Sequence, residues 1–277
     1  MIVTRFAPSP TGLLHLGHAY SALLVYGSIK KGGDFLLRIE DIDPGRCRIE
    51  YEKAIEEDLN WLGIKWQKPV RRQSEHMHDY ASALNRLDNE GLLYPCFCTR
   101  KEIIQARSSL AMDVLGPDGP IYPGSCRGLN PELIQKFKNE KKPFAWRLDM
   151  QKAVARVGEL TFRDLDKGLI VATPEIFGDV VLARKETPTS YHLAVCVDDH
   201  IQGINMVIRG QDLFPATHIH RLLQALLGLD TPSYRHHRLL LDESGKKFAK
   251  RERSPSLQEL RLAGATPKEI FKRVGLG

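Results

Sequence analysis

The sequence predicts an α/β fold in which strands alternate with helices. Two stretches near the start, Ile2 to Ala7 and Asp34 to Glu40, have the β-branched or alternating apolar composition of strands. Between them, apolar residues recur at helical spacing from Leu16 to Lys30, and Gly32-Gly33 ends that pattern. A strand, a loop, a helix and a second strand in this order are typical of an open α/β sheet.

The turn from the first strand into the first helix is the leading candidate for a ligand site. A helix that begins just past the C-terminal end of a strand offers unpaired N–H groups to anions. His15 and His18 lie in its first turn and can donate hydrogen bonds to phosphate, while Gly17 leaves room for a flat ring. The dinucleotide glycine fingerprint and the Walker loop are missing here, so phosphate contacts would come from the histidines. The alternative is that both histidines are ordinary surface residues.

The whole chain has the length and composition of a globular protein. Its 277 residues suffice for one large domain or two small ones, with 42% hydrophobic and 27% charged residues. No apolar stretch approaches the length that spans a membrane, and the first strand leaves no room for a signal peptide. We therefore expect a cytoplasmic protein.

Net charge and cysteine content indicate the kind of partner to expect and whether disulfides are present. The net charge of +6 and the pI of about 9.0 suit a polyanionic partner, although basic soluble enzymes are common. Five cysteines, an odd number, argue against a disulfide framework.

The remaining helices and strands are predicted from the spacing of apolar residues and from capping residues and glycines. Helices are predicted at 50–62, from Ser74 as a cap to Gly91, after the capping box at Thr99 to about Val114, at 131–142 and up to Gly228. Strands are predicted at 144–148, 158–162, 180–184 and 235–241. The apolar run at 189–200 fits a strand or a helix. Capping boxes at Ser256 and Thr266 predict two short helices near the end.

Three cysteines form a candidate metal site. Cys96 and Cys98 are one residue apart, and Cys126 follows in a loop-rich stretch. Three thiolates in this setting are typical of structural Zn²⁺, which would stabilise a small subdomain without taking part in chemistry. No histidine lies between Cys96 and Cys126, so the fourth ligand is not evident; water and Asp118 are possibilities. The alternative is three thiols without a metal.

Four separate motifs carry a family resemblance. The string R-F-A-P-S-P-T-G at 5–12, followed by H-x-G-H at 15–18, resembles the signature of class I aminoacyl-tRNA synthetases. With R-I-E-D-I-D at 38–43 it resembles the glutamyl branch, as does Y-H-L-A…D-D-H…I-R-G-Q-D-L at 191–213. K-F-A-K-R at 247–251 resembles the K-M-S-K-S loop, with alanine in place of the usual serine. A basic cluster alone is more often a solvated surface run.

The resemblance implies a Rossmann-like catalytic core divided by an insertion. Residues 1–94 and 186–277 would form the two halves of the nucleotide-binding domain. Residues 95–185 would form a zinc-bearing insertion, which in this class grips the acceptor end of tRNA. The family zinc pattern, C-x-C…Y-x-x-x-C, implies Tyr122 as the fourth ligand.

The resemblance also implies roles for individual residues. ATP with Mg²⁺ would bind at His15, Gly17, His18, Lys247 and Lys250. The catalytic residues, which would stabilise charge on the phosphates, are His15, His18 and Lys250.

An acidic amino acid would bind in a pocket between the two halves. Arginine recognises a carboxylate with paired, charge-assisted hydrogen bonds. The expected glutamate-binding residues are Arg5, Ala7, Ser9, Glu40, Tyr191 and Arg209. For Arg209 the alternative is a structural ion pair with Asp212. Asp198 and Asp199 are expected to be structural or helix-capping groups.

The length of the chain indicates which family within the glutamyl branch it resembles most. Only 26 residues follow Arg251, whereas a separate anticodon-binding domain needs about 100. The chain is therefore similar to the glutamyl-queuosine tRNA(Asp) synthetase family, which attaches glutamate to the queuosine base in the anticodon of tRNA(Asp). That resemblance implies ATP, L-glutamate and queuosine-bearing tRNA(Asp) as partners, no membrane, and a monomer.

Three other functions are compatible with these motifs. One is a short glutamyl- or glutaminyl-tRNA synthetase that charges a 3′ end. Another is a small-molecule nucleotidylyltransferase, and the third is a zinc-bearing RNA-binding protein with an inactive site.

Overall fold

The computed structural model describes residues 1–29, 32–111, 113–240 and 255–277. The strands are β1 (Ile2–Phe6), β2 (Gly33–Ile39), β3 (Gln67–Arg72), β4 (Leu93–Cys96), β5 (Leu115–Gly116), β6 (Gly119–Pro120), β7 (Ala145–Leu148), β8 (Thr161–Asp164), β9 (Gly168–Val171), β10 (Val181–Ala183), β11 (Met206–Gly210) and β12 (Ser233–His237). The helices are α1 (Leu16–Ser28), α2 (Ile49–Trp61), α3 (Met77–Asn89), α4 (Arg100–Ser109), α5 (Pro131–Asn139), α6 (Met150–Val157), α7 (Tyr191–Ile201), α8 (Ala216–Leu227), α9 (Leu257–Leu262) and α10 (Pro267–Arg273).

A parallel arrangement of strands forms the centre of the molecule. β1 pairs in parallel with β2, and β2 with β3. On its other side β1 lies beside β11, where the Asn205 N–H donates to the Val3 carbonyl at 3.1 Å. β11 pairs in parallel with β12, so the sheet β3-β2-β1 and the sheet β11-β12-β8-β9 lie side by side where β1 meets β11. The predicted α/β fold is confirmed.

Apolar burial explains why the first elements form. On β2, the alternate residues Phe35, Leu37 and Ile39 are at most 2% exposed. They pack in one core with α1, α2 and the two terminal helices. Full burial of each such side chain contributes about 1.5–3 kcal/mol, enough to hold a short strand against its helices.

Local signals predicted most helix boundaries. The capping boxes at Thr99, Ser256 and Thr266 are all formed. Residues 189–200 are mostly helical, because the Ser190 hydroxyl caps α7. The prediction that Ser74 caps a helix is wrong, since it lies within a short 3-10 helix and its hydroxyl donates to Asp41. α6, capped by Asp149, was not predicted.

Strand pairing crosses both predicted domain boundaries. β4 begins before residue 95 and pairs with β7 in an antiparallel sheet whose other edge is β10. β8 lies inside the predicted insertion, yet Asp164 on β8 pairs with Tyr234 on β12. The last part of residues 95–185 therefore adds β8 and β9 to the sheet that contains β11 and β12. The division of the chain into domains at residues 94 and 185 stays a prediction.

No helix in the described part of the chain combines the length and the apolar character needed to cross a membrane.

Candidate active site and cysteine cluster

A cavity of about 410 Å³ opens at the C-terminal ends of the central strands. From β1 the chain order runs to β2 on one side and to β11 on the other. The cavity therefore lies at the switch point, where ligands of open α/β sheets bind. Its volume falls in the range of small-molecule sites.

The structure brings all six predicted glutamate-pocket residues to this cavity. Its lining includes Arg5, Ala7, Ser9, Glu40, Tyr191 and Arg209. His18 also lines it, so the histidine turn adjoins this cavity. These residues come from both halves of the chain, up to 204 positions apart in sequence (Arg5 to Arg209).

Arg209 is a buried cation surrounded by neutral partners. The guanidinium donates to His236 Nε2 at 3.2 Å, to His220 Nδ1 at 3.2 Å and to the Thr217 hydroxyl at 2.7 Å. A longer bond of 3.4 Å reaches the hydroxyl of Tyr191. Burial raises the pKa of Tyr191, which keeps its hydroxyl protonated and able to donate.

Neutral histidines leave the charge of Arg209 available. Burial lowers the pKa of His220 well below its ordinary value, and the nearby Arg209 lowers it further. Burial and Arg209 likewise lower the pKa of His236 to about 4. Among the residues that the structure describes, no carboxylate pairs with Arg209, so the alternative of an ion pair with Asp212 is wrong.

A second, charged network supports the opposite wall. Asp199 accepts from Arg5 Nε at 2.9 Å and from Arg38 at 2.8 Å, and Arg38 also donates to Glu40 at 3.2 Å. Burial would raise the pKa of Asp199, but the two arginines outweigh it and hold the pKa below its ordinary value. Burial raises the pKa of Glu40, and Arg38 and Arg5 offset this only in part. Glu40 faces the cavity beside the two arginines.

His15 and His18 cap α1 with their rings. His15 Nδ1 accepts from the Gly17 N–H at 3.1 Å, and His18 Nδ1 accepts from the His15 N–H at 3.2 Å. Since Nδ1 accepts in both rings, the proton of each neutral imidazole resides on Nε2. A Cβ on Gly17 would lie 3.0 Å from the His15 ring, so glycine allows this ring to fold over the first turn.

The end of the chain returns to the histidine turn. Ser256 forms a β-bridge with His15, and the Leu257 N–H donates to the Leu14 carbonyl at 2.8 Å. The predicted phosphate contacts Lys247 and Lys250 lie in 241–254, outside the described residues.

The three predicted cysteines converge. The sulfur atoms of Cys96, Cys98 and Cys126 lie within 4.8 Å of one another. The Tyr122 hydroxyl is 3.4 Å from Cys96 Sγ and 3.5 Å from Cys98 Sγ. Three thiols and a phenol around one point form a donor set that suits Zn²⁺. The alternative ligand Asp118 instead accepts from His192 at 3.0 Å.

One thiolate is already favoured in this cluster. Hydrogen bonds from the Cys126 thiol and the Tyr122 hydroxyl, together with the nearby Arg147, lower the pKa of Cys96 to about 4. A deprotonated sulfur is the form that ligates metal ions, so this lowered pKa is compatible with a metal site.

Sequence analysis did not predict three hydrogen-bond partners of the arginines that line the cavity: Asp199, which contacts Arg5, and His220 and His236, which contact Arg209. Asp199 was expected to be structural or helix-capping; it is structural, but through Arg5 and Arg38. His220 and His236 were not singled out. Helical phase offers a signal for Asp199, which lies eight residues after Tyr191 on the same face of a helix.

Comparison with known proteins identifies the class. The family model for the catalytic domain of class I tRNA synthetases (E and Q) matches residues 1–276. The chain belongs to this family and is an enzyme of the aminoacyl-tRNA synthetase type.

Individual relatives refine the assignment. The glutamyl-Q tRNA(Asp) synthetase of Rhodobacter capsulatus is 47% identical over 99% of this chain and 100% of its own length. Within the class, the chain therefore groups with the glutamyl-Q tRNA(Asp) synthetases. The glutamate–tRNA ligase of Aquifex aeolicus is 41% identical over 98% of this chain, which spans 56% of that ligase.

Solved structures agree on the fold. The glutamate tRNA ligase of Elizabethkingia meningosepticum, in complex with its amino acid, superposes with a TM-score of 0.79 and 28% identity. The match covers 99% of this chain and 60% of that ligase.

Proposed function

We propose that this enzyme activates L-glutamate with ATP and transfers it to the queuosine base in the anticodon of tRNA(Asp). The observation that carries the first step is Arg209, a buried guanidinium in a ligand-sized cavity that has no carboxylate partner among the described residues. An acidic amino acid supplies the missing carboxylate. Tyr191 adds a hydroxyl and Glu40 a carboxylate for the α-ammonium, which together match glutamate rather than a neutral amino acid.

The first step forms a mixed anhydride. An oxygen of the glutamate α-carboxylate attacks the α-phosphorus of ATP, and the bond to the leaving pyrophosphate breaks. His15 and His18 donate from Nε2 to the phosphate oxygens as charge grows, because their Nδ1 atoms are occupied by the helix cap. Lys250, in the segment outside the described residues, is proposed as a further phosphate contact. Each charge-assisted contact is worth about 1.5–3 kcal/mol.

The second step transfers the glutamyl group. A hydroxyl of the queuosine cyclopentenediol attacks the anhydride carbonyl, AMP leaves with the electron pair of the broken C–O bond, and the hydroxyl proton passes to a phosphate oxygen of the AMP or to water. A second cavity of about 510 Å³, between the insertion and the second half, shares Tyr191 and Leu213 with the glutamate pocket. An acceptor base there would meet the activated carbonyl. The queuosine assignment rests on the name of the R. capsulatus relative.

The insertion has a positively charged surface that suits a tRNA partner. Five basic side chains surround a hollow beside two aromatic rings, and the lining contains no acidic residue: Lys138, Lys141, Lys142, Arg184 and Lys185 with Phe144 and Trp146. Cations pair with phosphates and aromatic rings stack with bases, so this surface suits RNA.

Zinc is proposed as a structural ion at Cys96, Cys98 and Cys126, with the Tyr122 hydroxyl as the nearest fourth donor. When bound, it would hold β4 to the loop before α5. The catalytic residues act without it.

The test is transfer of labelled glutamate to tRNA with and without queuosine. We expect label in queuosine-bearing tRNA(Asp) that survives removal of the CCA end. Label that is lost with the CCA end would instead support the second candidate, a short glutamyl-tRNA ligase, which the 41% identity to the A. aeolicus enzyme favours. Glutamate-dependent ATP–pyrophosphate exchange without tRNA tests the activation step by itself.

A further inference from the structure

Two hydrogen-bonded branches leave the Arg209 guanidinium and end on carboxylates. In the short branch, His236 accepts from Arg209, and its Nδ1 donates to Asp164 at 2.7 Å. Both side chains of this pair are fully buried. The short branch is therefore a fixed part of the core.

The long branch runs out to the insertion. Arg209 donates to His220 Nδ1 at 3.2 Å, and His220 Nε2 lies 3.2 Å from His192 Nδ1. His192 Nε2 lies 3.0 Å from a carboxylate oxygen of Asp118. Asp118 occupies the turn between β5 and β6, and His192 directly follows Tyr191 in α7. Three consecutive hydrogen bonds thus connect the insertion hairpin to the amino-acid pocket.

The two ends of the long branch determine its direction. A guanidinium can only donate and a carboxylate can only accept. His220 must therefore accept at Nδ1 and donate from Nε2, and His192 must do the same. A single arrangement of protons on two neutral rings satisfies all three bonds. The lowered pKa of His220 agrees with a neutral ring at that position.

We propose that Asp118, His192 and His220 form a positioning relay through which the insertion hairpin orients Arg209 toward the carboxylate of the bound amino acid. This rests on the proposed function, in which Arg209 binds glutamate. Without the Asp118 acceptor, either ring can adopt its other tautomer, and His220 would then present an N–H to the N–H of Arg209. That arrangement loses the bond and turns the guanidinium away from its position.

The exposure of the two ends makes the long branch adjustable. The Asp118 side chain is 61% exposed, whereas Asp164 in the short branch is fully buried. Asp118 and His192 also line the 510 Å³ cavity proposed for the acceptor. A molecule that binds in this cavity can change the hydrogen bond between His192 and Asp118. Through His220, that change reaches Arg209 in the amino-acid site.

The test compares His192→Phe and Asp118→Ala with wild type in glutamate-dependent ATP–pyrophosphate exchange. Phenylalanine keeps an aromatic ring against Phe177 and Tyr191 but removes both nitrogens. We expect the KM for glutamate to rise about five- to tenfold in both variants. The kcat and the KM for ATP should stay within about twofold, because only the positioning of Arg209 changes.

The preference for glutamate over glutamine is a second measurement, and it would not change if these residues had only a structural role. The preference for glutamate over glutamine should fall by a similar factor, since Arg209 is what recognises the charge. Asp118→Asn should restore most of the wild-type KM, because its amide oxygen can still accept from His192. Asp113→Asn removes the same charge from the approach to the hairpin and should leave all parameters unchanged.

Several outcomes would overturn the proposal. An unchanged glutamate KM in a folded His192→Phe variant is one, and an equal fall in kcat for glutamate and glutamine is another. Asp118→Ala, at an exposed residue, covers the case in which His192→Phe fails to fold. Absence of glutamate-dependent exchange in wild type would instead defeat the proposed function itself.

Discussion

Replacing Arg209 by methionine is expected to remove amino-acid selection while leaving the folded state almost as stable. Arg209 is 5% exposed, and its guanidinium donates only to neutral groups among the described residues. Losing these charge-assisted bonds costs about 1.5–3 kcal/mol each, but methionine avoids the dehydration of a buried cation, which costs several kcal/mol, so the two effects largely offset each other. The free energy of unfolding should therefore change by less than about 2 kcal/mol.

The loss of activity should be far larger. Glutamate would lose a two-pronged, charge-assisted pair, with each bond worth about 1.5–3 kcal/mol. The kcat/KM for glutamate in ATP–pyrophosphate exchange should fall about 10²- to 10³-fold or more. Urea unfolding of the same preparations measures the free energy of unfolding of wild type and variant.

Arg71→Met is the matched control. Arg71 is also an inward-facing arginine, but it donates to Asp198 at 2.7 Å and to Asp79, so its removal leaves a buried carboxylate undercompensated. We expect this variant to lose about 3 kcal/mol of stability. An Arg209→Met protein that loses more stability than Arg71→Met, yet retains exchange, would refute the reasoning.

Three further substitutions test other parts of the molecule. Lys250→Ala should lower the rate of pyrophosphate exchange at least about tenfold without affecting folding, since one phosphate contact is lost; unchanged exchange rejects the role proposed for this lysine. Cys126→Ser should reduce bound zinc below about half an equivalent per chain, measured by metal analysis after purification without chelator; substoichiometric zinc in wild type defeats the site. Burial raises the pKa of Asp58 to about 6, with Arg261 only partly offsetting it. The folded state therefore binds the proton more tightly, and wild type should lose about 2 kcal/mol relative to Asp58→Asn as the pH rises from 4 to 8. Urea unfolding at several pH values checks this, and an equal pH dependence in both proteins contradicts it.

Local rules predicted the elements that depend on neighbouring residues. The capping boxes at Ser256 and Thr266, and the glycine end of α8 at Gly228, need only a few adjacent side chains. The same holds for the histidine turn, where Gly17 and both rings lie within four positions of one another. Such features form from short-range geometry, so a single sequence suffices to identify them.

Long-range partners could not be predicted in this way. Asp199 neutralises Arg5 across 194 positions, and His236 meets Arg209 only because β12 pairs in parallel with β11. The tyrosine of the cysteine cluster depends on a loop that folds back over 24 positions to Cys98. Which distant side chains meet depends on sheet order and helix packing, which composition and periodicity do not specify.

The histidine cap of α1 has a consequence for how this site can evolve. Each ring of His15 and His18 accepts a backbone N–H at one nitrogen, and in the proposed function the other nitrogen contacts phosphate. A replacement must therefore satisfy a local folding requirement as well as a chemical one. Asparagine can take over the cap but reaches a ligand poorly, and lysine can reach a ligand but cannot accept from an N–H. Mutational drift at these two positions is thus restricted twice over, once by the helix and once by the reaction.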